Sequence, residues 1–288
     1  MQFKSSAYNF FYSSDDGGVL YNGRTGAALC ADQATSAAIS ALLSTPQYVV
    51  DEDSNLWRVR EILRDKNVLI EESLDEIDEI LVKRISRQRL AGGLNLTIAP
   101  TLACNFRCIY CYEDHPLGVM DTATAQALLA FVAQRLPQGT GLHVTWFGGE
   151  PLLAVDRIEQ LTEGLIGLCD ERGCSYETFM ITNGYRLNGT MAKRLLGLHI
   201  GDFQITIDGE REVHDRQRPL AGGQGTFDVL MRNLADIAPH VSSVTVRINL
   251  LRSNVDSAAL LVRRLQEMQA DVPALAISLG QVDKATDL

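Results

Sequence analysis

The sequence predicts an α/β fold in which a parallel β-sheet takes up most of the chain and a smaller α+β domain precedes it. From Leu94 onward, short β-rich runs alternate with amphipathic helical stretches, a pattern typical of βαβ units. Residues 1–90 lack this alternation, and the run Ala91-Gly92-Gly93 separates the two parts. No motif recurs at a fixed spacing, so a repeat solenoid is not expected.

The core from residue 91 to 288 is predicted to contain six strands separated by five helices. In the first helix, apolar residues recur at helical spacing and define one buried face. An open doubly wound sheet and a barrel both fit this order, and both bind ligands at the carboxyl ends of the strands. The predicted strands are Leu94–Thr101, Leu142–Phe147, Thr178–Thr182, Asp202–Ile207, Ser243–Leu250 and Leu275–Val282. The predicted helices are Thr122–Leu136, Asp156–Arg172, Gly189–Leu198, Phe227–Ile237 and Ser257–Gln269.

Residues 1–90 are predicted to form a small winged-helix-like α+β domain. Asn9–Phe11 and Val19–Tyr21 form a hairpin across a turn rich in serine, aspartate and glycine, and Ala28–Cys30 is a candidate third strand. Three helices follow: an alanine-rich helix around Ala34–Leu43, a helix Leu56–Leu63 with Ser54 as its N-cap, and a helix from Ser73 to about Arg89. The last of these helices has acidic residues in its first turns and basic residues in its last turns, which suits the helix dipole.

The composition narrows the classes of function. A formal net charge of −10 argues against general nucleic-acid binding, which needs a basic face. The N-terminus lacks the features of a signal peptide, and no run approaches the ~18 apolar residues of a membrane span. We therefore expect a cytoplasmic protein with no membrane partner. In a reducing compartment, the six cysteines are expected to be free for metal binding or catalysis.

Three of the cysteines form a cluster with the spacing C-x3-C-x2-C: Cys104, Cys108 and Cys111. Thiolates prefer zinc or iron–sulfur clusters. Structural zinc normally takes four ligands, and His115 is a candidate fourth, so zinc remains an alternative, as does simple burial of three thiols. In an iron–sulfur cubane, three cysteines would leave one iron open to a cofactor or substrate.

The segment Cys104–Cys111 resembles the signature of the radical S-adenosylmethionine (radical SAM) superfamily. The run Cys108-Ile-Tyr-Cys-Tyr112 resembles the branch with cysteine-rich C-terminal SPASM extensions, which modifies peptides and proteins. The likeness extends from about Asn95 to Leu288 and implies a partial (β/α)6 TIM-like barrel. Further motifs follow in the family's order: Gly148-Gly149-Glu150-Pro151, Thr182-Asn183-Gly184, Thr206-Ile207-Asp208-Gly209, His214-Asp215 with Arg218, and Val246-Arg247-Ile248-Asn249.

This resemblance implies that the three cysteines hold a [4Fe-4S] cluster whose open iron chelates S-adenosylmethionine. An electron from a donor such as flavodoxin or ferredoxin would then split the cofactor and give a 5′-deoxyadenosyl radical, which abstracts hydrogen from a peptide or protein substrate. Ribosomal-peptide or sulfatase-type maturation is the expected chemistry. The catalytic acid or base is unknown, and no role is assigned to Cys30, Cys169 or Cys174.

The resemblance also implies a set of cofactor contacts. Tyr110 would lie by the adenine, and Glu150 or a nearby carbonyl would accept from the ammonium group. Arg247 and Asn249 would face the barrel interior, where a carboxylate partner offsets the cost of a buried arginine. Ordinary turns and packing are the alternative explanations, and Arg218 is expected at the surface. The full set is Tyr110, Gly148, Gly149, Glu150, Thr206, Asp208, Arg247 and Asn249.

The resemblance is incomplete at both ends. SPASM enzymes carry further cysteines after the sixth strand, whereas this sequence has none there, so a core truncated after that strand is expected. The run Tyr21-Asn-Gly-Arg-Thr-Gly26 and the helix after it resemble, more weakly, the N-terminal leader-peptide recognition domains of ribosomal-peptide maturases; a structural cap on the barrel is the alternative. A catalytically incomplete peptide-binding module, or partner of a fuller maturase, remains the alternative function.

Overall fold

The computed structural model describes residues 2–47, 54–90, 93–272 and 274–282. The chain forms two compact units, Met1–Ala91 and Gly92–Leu288. In the ranges described, no helix combines the length and the apolar character that crossing a membrane requires.

The first unit is an α+β unit with two small antiparallel sheets. Strands β2, β3 and β4 form one sheet in that order, and β1 pairs with β5. The β2–β3 hairpin is longer than predicted, because pairing continues to Ser14 opposite Gly17. The three-residue strands β1 and β5 were not predicted, since such short segments show no period. The elements are β1 (Phe3–Ser5), β2 (Asn9–Ser14), β3 (Gly17–Asn22), β4 (Ala28–Ala31), α1 (Gln33–Ser44), α2 (Asn55–Asp65), β5 (Leu69–Glu71) and α3 (Glu76–Leu90).

A small apolar core holds this first unit together. Leu20 of β3, Leu42 of α1 and Leu63 of α2 are fully buried in one cluster. The predicted N-cap is confirmed, because the Ser54 side chain accepts a hydrogen bond from the Trp57 backbone N–H at 3.2 Å. This bond satisfies one of the amide groups that the first turn of α2 would otherwise leave unpaired.

The second unit contains one six-stranded sheet of the order β11-β10-β9-β8-β7-β6 with every pairing parallel. This is the partial TIM-like barrel that the sequence predicts. Its elements are β6 (Leu94–Ile98), α4 (Thr122–Arg135), β7 (Gly141–Trp146), α5 (Val155–Arg172), β8 (Ser175–Thr182), α6 (Gly189–Leu196), β9 (Asp202–Thr206), α7 (Arg211–Gln217), α8 (Phe227–Ile237), β10 (Ser243–Leu250), α9 (Val255–Asp271) and β11 (Leu275–Gln281). A single turn of 3₁₀ helix, Pro151–Leu153, precedes α5.

Burial along the strands alternates and thereby separates two faces of the sheet. In β10, Val244, Val246 and Ile248 are fully buried, whereas Arg247 and Asn249 between and after them are partly exposed. The apolar face belongs to the core cluster that also contains helix residues. The opposite face carries polar side chains, which face the inside of the partial barrel.

The bounds of several core elements differ from the prediction by two or three residues, as for β8, which begins at Ser175 rather than Thr178, and one helix was missed. The first core strand ends at Ile98 rather than Thr101, and Pro100 has no N–H with which to extend the ladder. Helix α7 was not predicted as a helix, since its seven residues span only about two turns and give no clear period.

Candidate functional site

A cavity of about 460 Å³ lies where the core strands β6 to β10 end. Its volume is in the range of small-molecule sites, roughly 300–1,000 Å³. The location agrees with the rule that parallel strands gather ligands at their carboxyl ends. All three clustered cysteines line it, together with the glycine turn after β7 and the polar face of β9 and β10.

The cysteine loop follows β6 and is fastened at its back. Phe106 is 1% exposed and meets the ring of Tyr185 edge-on, at 5.9 Å between centroids. The backbone N–H groups of Arg107 and Ile109 each donate over 2.9 Å, to the carbonyl groups of residues 219 and 217 respectively. These contacts fasten the loop to Tyr185, to the end of α7 and to the segment after it.

The thiols sit in different surroundings. Cys104 Sγ accepts from the Phe106 N–H at 3.4 Å and from the Asn183 side-chain amide at 3.9 Å. Burial nevertheless raises the pKa of Cys104 to about 11, and burial also raises the pKa of Cys108. These two thiols are therefore protonated at neutral pH until a metal displaces the protons.

The zinc alternative finds little support in this geometry. Cys111 Sγ lies 3.3 Å from His115 Nε2, so the predicted fourth ligand is adjacent to one cysteine. Among the residues that the structure describes, however, no three histidine, cysteine or acidic side chains gather closely enough to hold a single metal ion. A cluster distributes its thiolates over several irons and does not need them to meet at one atom.

The glycine turn after β7 packs against the cysteine loop. A Cβ added to Gly148 would lie 2.2 Å from the Thr101 carbonyl oxygen, and one added to Gly149 would lie 2.3 Å from that of Leu102. Gly148 also has a φ of +126°, which side chains rarely permit. The turn can therefore pack this closely on the backbone of the cysteine loop only with glycine at both positions, and the predicted contact of these glycines with the cofactor stays a prediction.

Glu150 does not line the cavity. Its carboxylate is fully buried and accepts three hydrogen bonds: from Leu152 N at 2.9 Å, Thr182 Oγ1 at 2.7 Å and Asn183 N at 2.7 Å. Burial raises the pKa of Glu150 in spite of these donors. With its oxygens occupied, the carboxylate joins the ends of β7 and β8, and direct contact with an ammonium group stays a prediction.

Tyr110, between the second and third cysteines, has its hydroxyl at the centre of a buried polar network. The hydroxyl donates to Asp208 Oδ2 and accepts from Arg218 Nη1 at 2.6 Å and from Asn249 Nδ2 at 3.1 Å. Asp208 is fully buried, and its Oδ1 accepts from the Asn249 N–H at 2.9 Å. Burial raises the pKa of Asp208, which Arg218 partly counters. Asp208 therefore supports the cavity wall from behind.

Our expectation for Arg218 was wrong. The residue is 7% exposed instead of lying at the surface, because the segment after α7 folds back over the cysteine loop. Its guanidinium carbon lies 5.7 Å from the centroid of the Phe106 ring, and its Nη1 reaches Tyr110. Arg218 thus adds a buried positive charge beside the cysteines, and it lines the cavity.

The remaining predicted residues lie on the cavity wall. Thr206 at the end of β9 is buried, and it lines the cavity with Arg247 and Asn249 of β10. Gln204 of β9 lines it too and was missed, because a lone polar residue in a strand gives no signal of its own. His214 was noted only as part of a motif; its Nδ1 accepts from the Asp208 N–H at 3.1 Å and so supports the same network.

Comparison with known proteins agrees with this geometry. The family model described as the radical SAM superfamily matches residues 98–265. The serine-type anaerobic sulfatase-maturating enzyme of Klebsiella aerogenes is 25% identical over 172 residues, covering 58% of this chain and 42% of the relative. The Fe-coproporphyrin III synthase of Methanosarcina barkeri is 27% identical over 172 residues, covering 58% of this chain and 39% of the relative. The chain spans less than half the length of each relative.

Among solved structures, native anSMEcpe with bound AdoMet and Cp18Cys peptide has the same fold. The TM-score is 0.54 at 20% identity, over 67% of this chain and 52% of that chain. The matched family model covers more than half of this sequence, including the cysteine loop and the glycine turn. The chain therefore belongs to the radical SAM superfamily of enzymes, and its cofactors are those of the superfamily, a [4Fe-4S] cluster and S-adenosylmethionine.

Proposed function

We propose that this chain is the core of a radical SAM enzyme that modifies a peptide or protein substrate. The observation that carries the proposal is the meeting of Cys104, Cys108 and Cys111 in one cavity with the Gly148-Gly149 turn and the polar wall of β9 and β10. A cavity in which polar groups converge is the form that cofactor sites take.

The donors present fit the cluster. Three thiols are the ligands that iron–sulfur clusters take. The N–H groups of Phe106 and Asn183 that point at Cys104 Sγ favour the charged form of the sulfur. Asn183 is itself held by Asn105 Oδ1 at 2.8 Å. These donors would help the sulfur stay charged once iron is bound.

When bound, the two cofactors supply a reductive cleavage that yields methionine and a 5′-deoxyadenosyl radical. The protein's own part is to position and to enclose. Cys104, Cys108 and Cys111 would hold the cluster, and the backbone of Gly148 and Gly149, which lines the cavity, would face the cofactor. The Thr206 hydroxyl makes no hydrogen bond within the described residues and faces the cavity, so we assign it to a polar group of the cofactor.

A peptide or protein is the substrate class that we propose. One relative is named for sulfatase maturation, and one solved structure of the same fold holds a peptide beside AdoMet. The Fe-coproporphyrin III synthase shows that relatives at similar identity act on other molecules. A feature of the first unit favours the peptide.

That feature is an apolar face on the β2–β3–β4 sheet. Phe10 lies opposite Tyr21 and Tyr12 lies opposite Val19 in the hairpin, and all four side chains are exposed. The rings of Phe10 and Tyr21 stack at 6.4 Å. β2 and β4 are the edge strands of this sheet, so either could accept an extended peptide as an added strand. We therefore extend the proposal to leader-peptide recognition by this unit.

An electron donor completes the proposal. Reduction of the cluster needs a low-potential protein such as a flavodoxin or ferredoxin. Free thiols that must remain available for iron belong in a reducing compartment, and a cytoplasmic location follows as part of the proposal.

The ligand assignment can be tested by anaerobic reconstitution with iron and sulfide. We expect about four irons per chain and a cluster spectrum in the parent protein. Alanine at Cys104, Cys108 or Cys111 removes both, while Cys169→Ala keeps them, because Cys169 is buried in the apolar core. Loss of iron in Cys169→Ala would overturn the assignment.

The substrate class needs a separate measurement. The Cp18Cys peptide is incubated with the reconstituted, reduced protein and S-adenosylmethionine, and its mass is recorded. A mass change supports sulfatase-type maturation. Cofactor cleavage without a mass change restricts the proposal to another substrate, and peptide binding without any cleavage would favour the binding-module alternative.

A further inference from the structure

The side chain of Arg247 lies across the neighbouring strand β11. Its Nη1 is 3.5 Å from Ser278 Oγ, and its Nε donates to Asn249 Oδ1 at 3.2 Å. A Cβ added to Gly280 would lie 1.7 Å from Arg247 Nη2 and 2.1 Å from its Cζ. The guanidinium therefore occupies the space that any side chain at position 280 would fill.

Within the described ranges, the Arg247 guanidinium forms no ion pair with a carboxylate. Burial raises the pKa of Asp208, and Arg247 is among the groups that partly counter this, yet the two Asp208 oxygens are taken by Asn249 N and the Tyr110 hydroxyl. A partly buried arginine that faces a cavity without a counter-charge is costly, and an anionic ligand would remove that cost.

The position of Arg247 in the sheet separates it from the cluster ligands. The cysteine loop follows β6 and the glycine turn follows β7, at one end of the strand order. Arg247 lies on β10 and leans over β11, at the other end. Arg218 is the cation beside the cysteines, since it contacts Tyr110 and partly counters the burial that raises the pKa of Cys108. The two arginines therefore serve different parts of the cavity.

We propose that Arg247, seated on Gly280, binds a carboxylate group of the substrate, an acidic side chain or a C-terminus. The inference rests on the proposed function, since it names a chemical feature of the substrate of that same site. A guanidinium matches a carboxylate with two parallel hydrogen bonds. The Gln204 amide lines the same cavity and makes no hydrogen bond within the described residues, so it is free to bind an adjacent amide of the substrate.

The test uses small probes, because the substrate is unidentified. N-acetylglutamate N-methylamide carries an acidic side chain, N-acetylalanine carries a C-terminal carboxylate, and N-acetylglutamine N-methylamide is the neutral control. Binding is titrated by ligand-observed NMR, before and after cluster reconstitution. The same preparations give iron content and the Kd of S-adenosylmethionine by equilibrium dialysis.

The variants are Arg247→Gln and Gly280→Ala, with Arg252→Gln as the matched control, since Arg252 is exposed beyond the end of β10. In Gly280→Ala the added methyl group would contact only the guanidinium end of the flexible Arg247 side chain. We therefore expect this variant to fold and its guanidinium to be displaced. In both test variants the affinity for at least one carboxylate probe falls by about tenfold or more. The Kd of S-adenosylmethionine stays within about twofold.

Equal probe affinity in parent and variants, or no selective binding to the parent, overturns the inference. A loss of S-adenosylmethionine affinity in Arg247→Gln as large as the loss of probe affinity also overturns it and assigns Arg247 to the cofactor. Failure of the parent to take up iron would instead refute the proposed function, and the probe titrations would still decide the role of Arg247.

Discussion

Replacing Tyr110 by phenylalanine tests how the cysteine loop is held in place. The change removes one oxygen and keeps the ring, so packing is preserved. The lost hydroxyl donates to Asp208 and accepts from Arg218 and Asn249. Two of these partners are charged and almost fully buried.

The magnitude follows from those partners. A hydrogen bond to a charged group contributes about 1.5–3 kcal/mol, and a neutral one about 1 kcal/mol. Arg218 Nε and Asp208 Oδ2 are 4.0 Å apart, so they can move together in the variant and recover part of the loss. We therefore expect the free energy of unfolding to fall by about 2 kcal/mol. For a unit of this size the melting temperature would fall by about 4–8 °C.

The assay is urea unfolding of the cluster-free protein under reducing, anaerobic conditions. The chain has two tryptophans, and the background change Trp57→Phe leaves Trp146, which is fully buried in β7. Its fluorescence then reports on the core unit alone. Tyr112→Phe is the control, because Tyr112 is 82% exposed, and we expect no measurable change. A Tyr110→Phe protein within about 0.5 kcal/mol of the parent would refute the account of the network.

Two further predictions concern the glycine turn and a buried histidine. Gly149→Ala should lower the free energy of unfolding by more than about 2 kcal/mol and abolish iron uptake, because its Cβ would meet the Leu102 carbonyl oxygen. Gly167→Ala is the control: it has open space on α5 and should raise the free energy of unfolding by up to about 1 kcal/mol. Urea unfolding and iron analysis of both variants test this difference. Burial, helped by Arg218, lowers the pKa of His214 to about 3. Folding favours the neutral imidazole of His214. Its contribution to the free energy of unfolding is therefore complete above the unfolded pKa near 6.5 and is lost as the pH drops toward 3. From pH 7 to pH 5 the contribution of this residue should shrink by about 2 kcal/mol, and an unchanged pH slope in His214→Gln would contradict this.

The sequence predicted the core elements well because their signals are local. Alternation along residues 243–250 is a period that can be read directly, and it places Arg247 and Asn249 on the inner face. The cysteine spacing is equally local. The order of strands and helices was sufficient for a parallel sheet, because such units connect in only a few ways.

The site was less predictable where it depends on contacts distant in the sequence. The sequence predicts Glu150 to be part of a cofactor motif. In the structure, however, its carboxylate oxygens accept hydrogen bonds from Thr182 and Asn183 at the end of the next strand. From the sequence, Arg218 is expected to be a surface residue of a loop. Only the fold brings its guanidinium into hydrogen-bond contact with Tyr110, which lies 108 positions earlier. Gln204 looks like an exposed polar residue, because the sequence does not show that the polar face of β9 lines a cavity.

The central claim is that this chain cleaves S-adenosylmethionine at a cluster held by Cys104, Cys108 and Cys111. The most direct test is anaerobic reconstitution, reduction with dithionite in the presence of S-adenosylmethionine, and chromatographic detection of 5′-deoxyadenosine. We predict product from the parent protein and none from the variant with all three cysteines changed to alanine. Product that persists in the triple variant, or a parent that binds no cluster under these conditions, would contradict the claim.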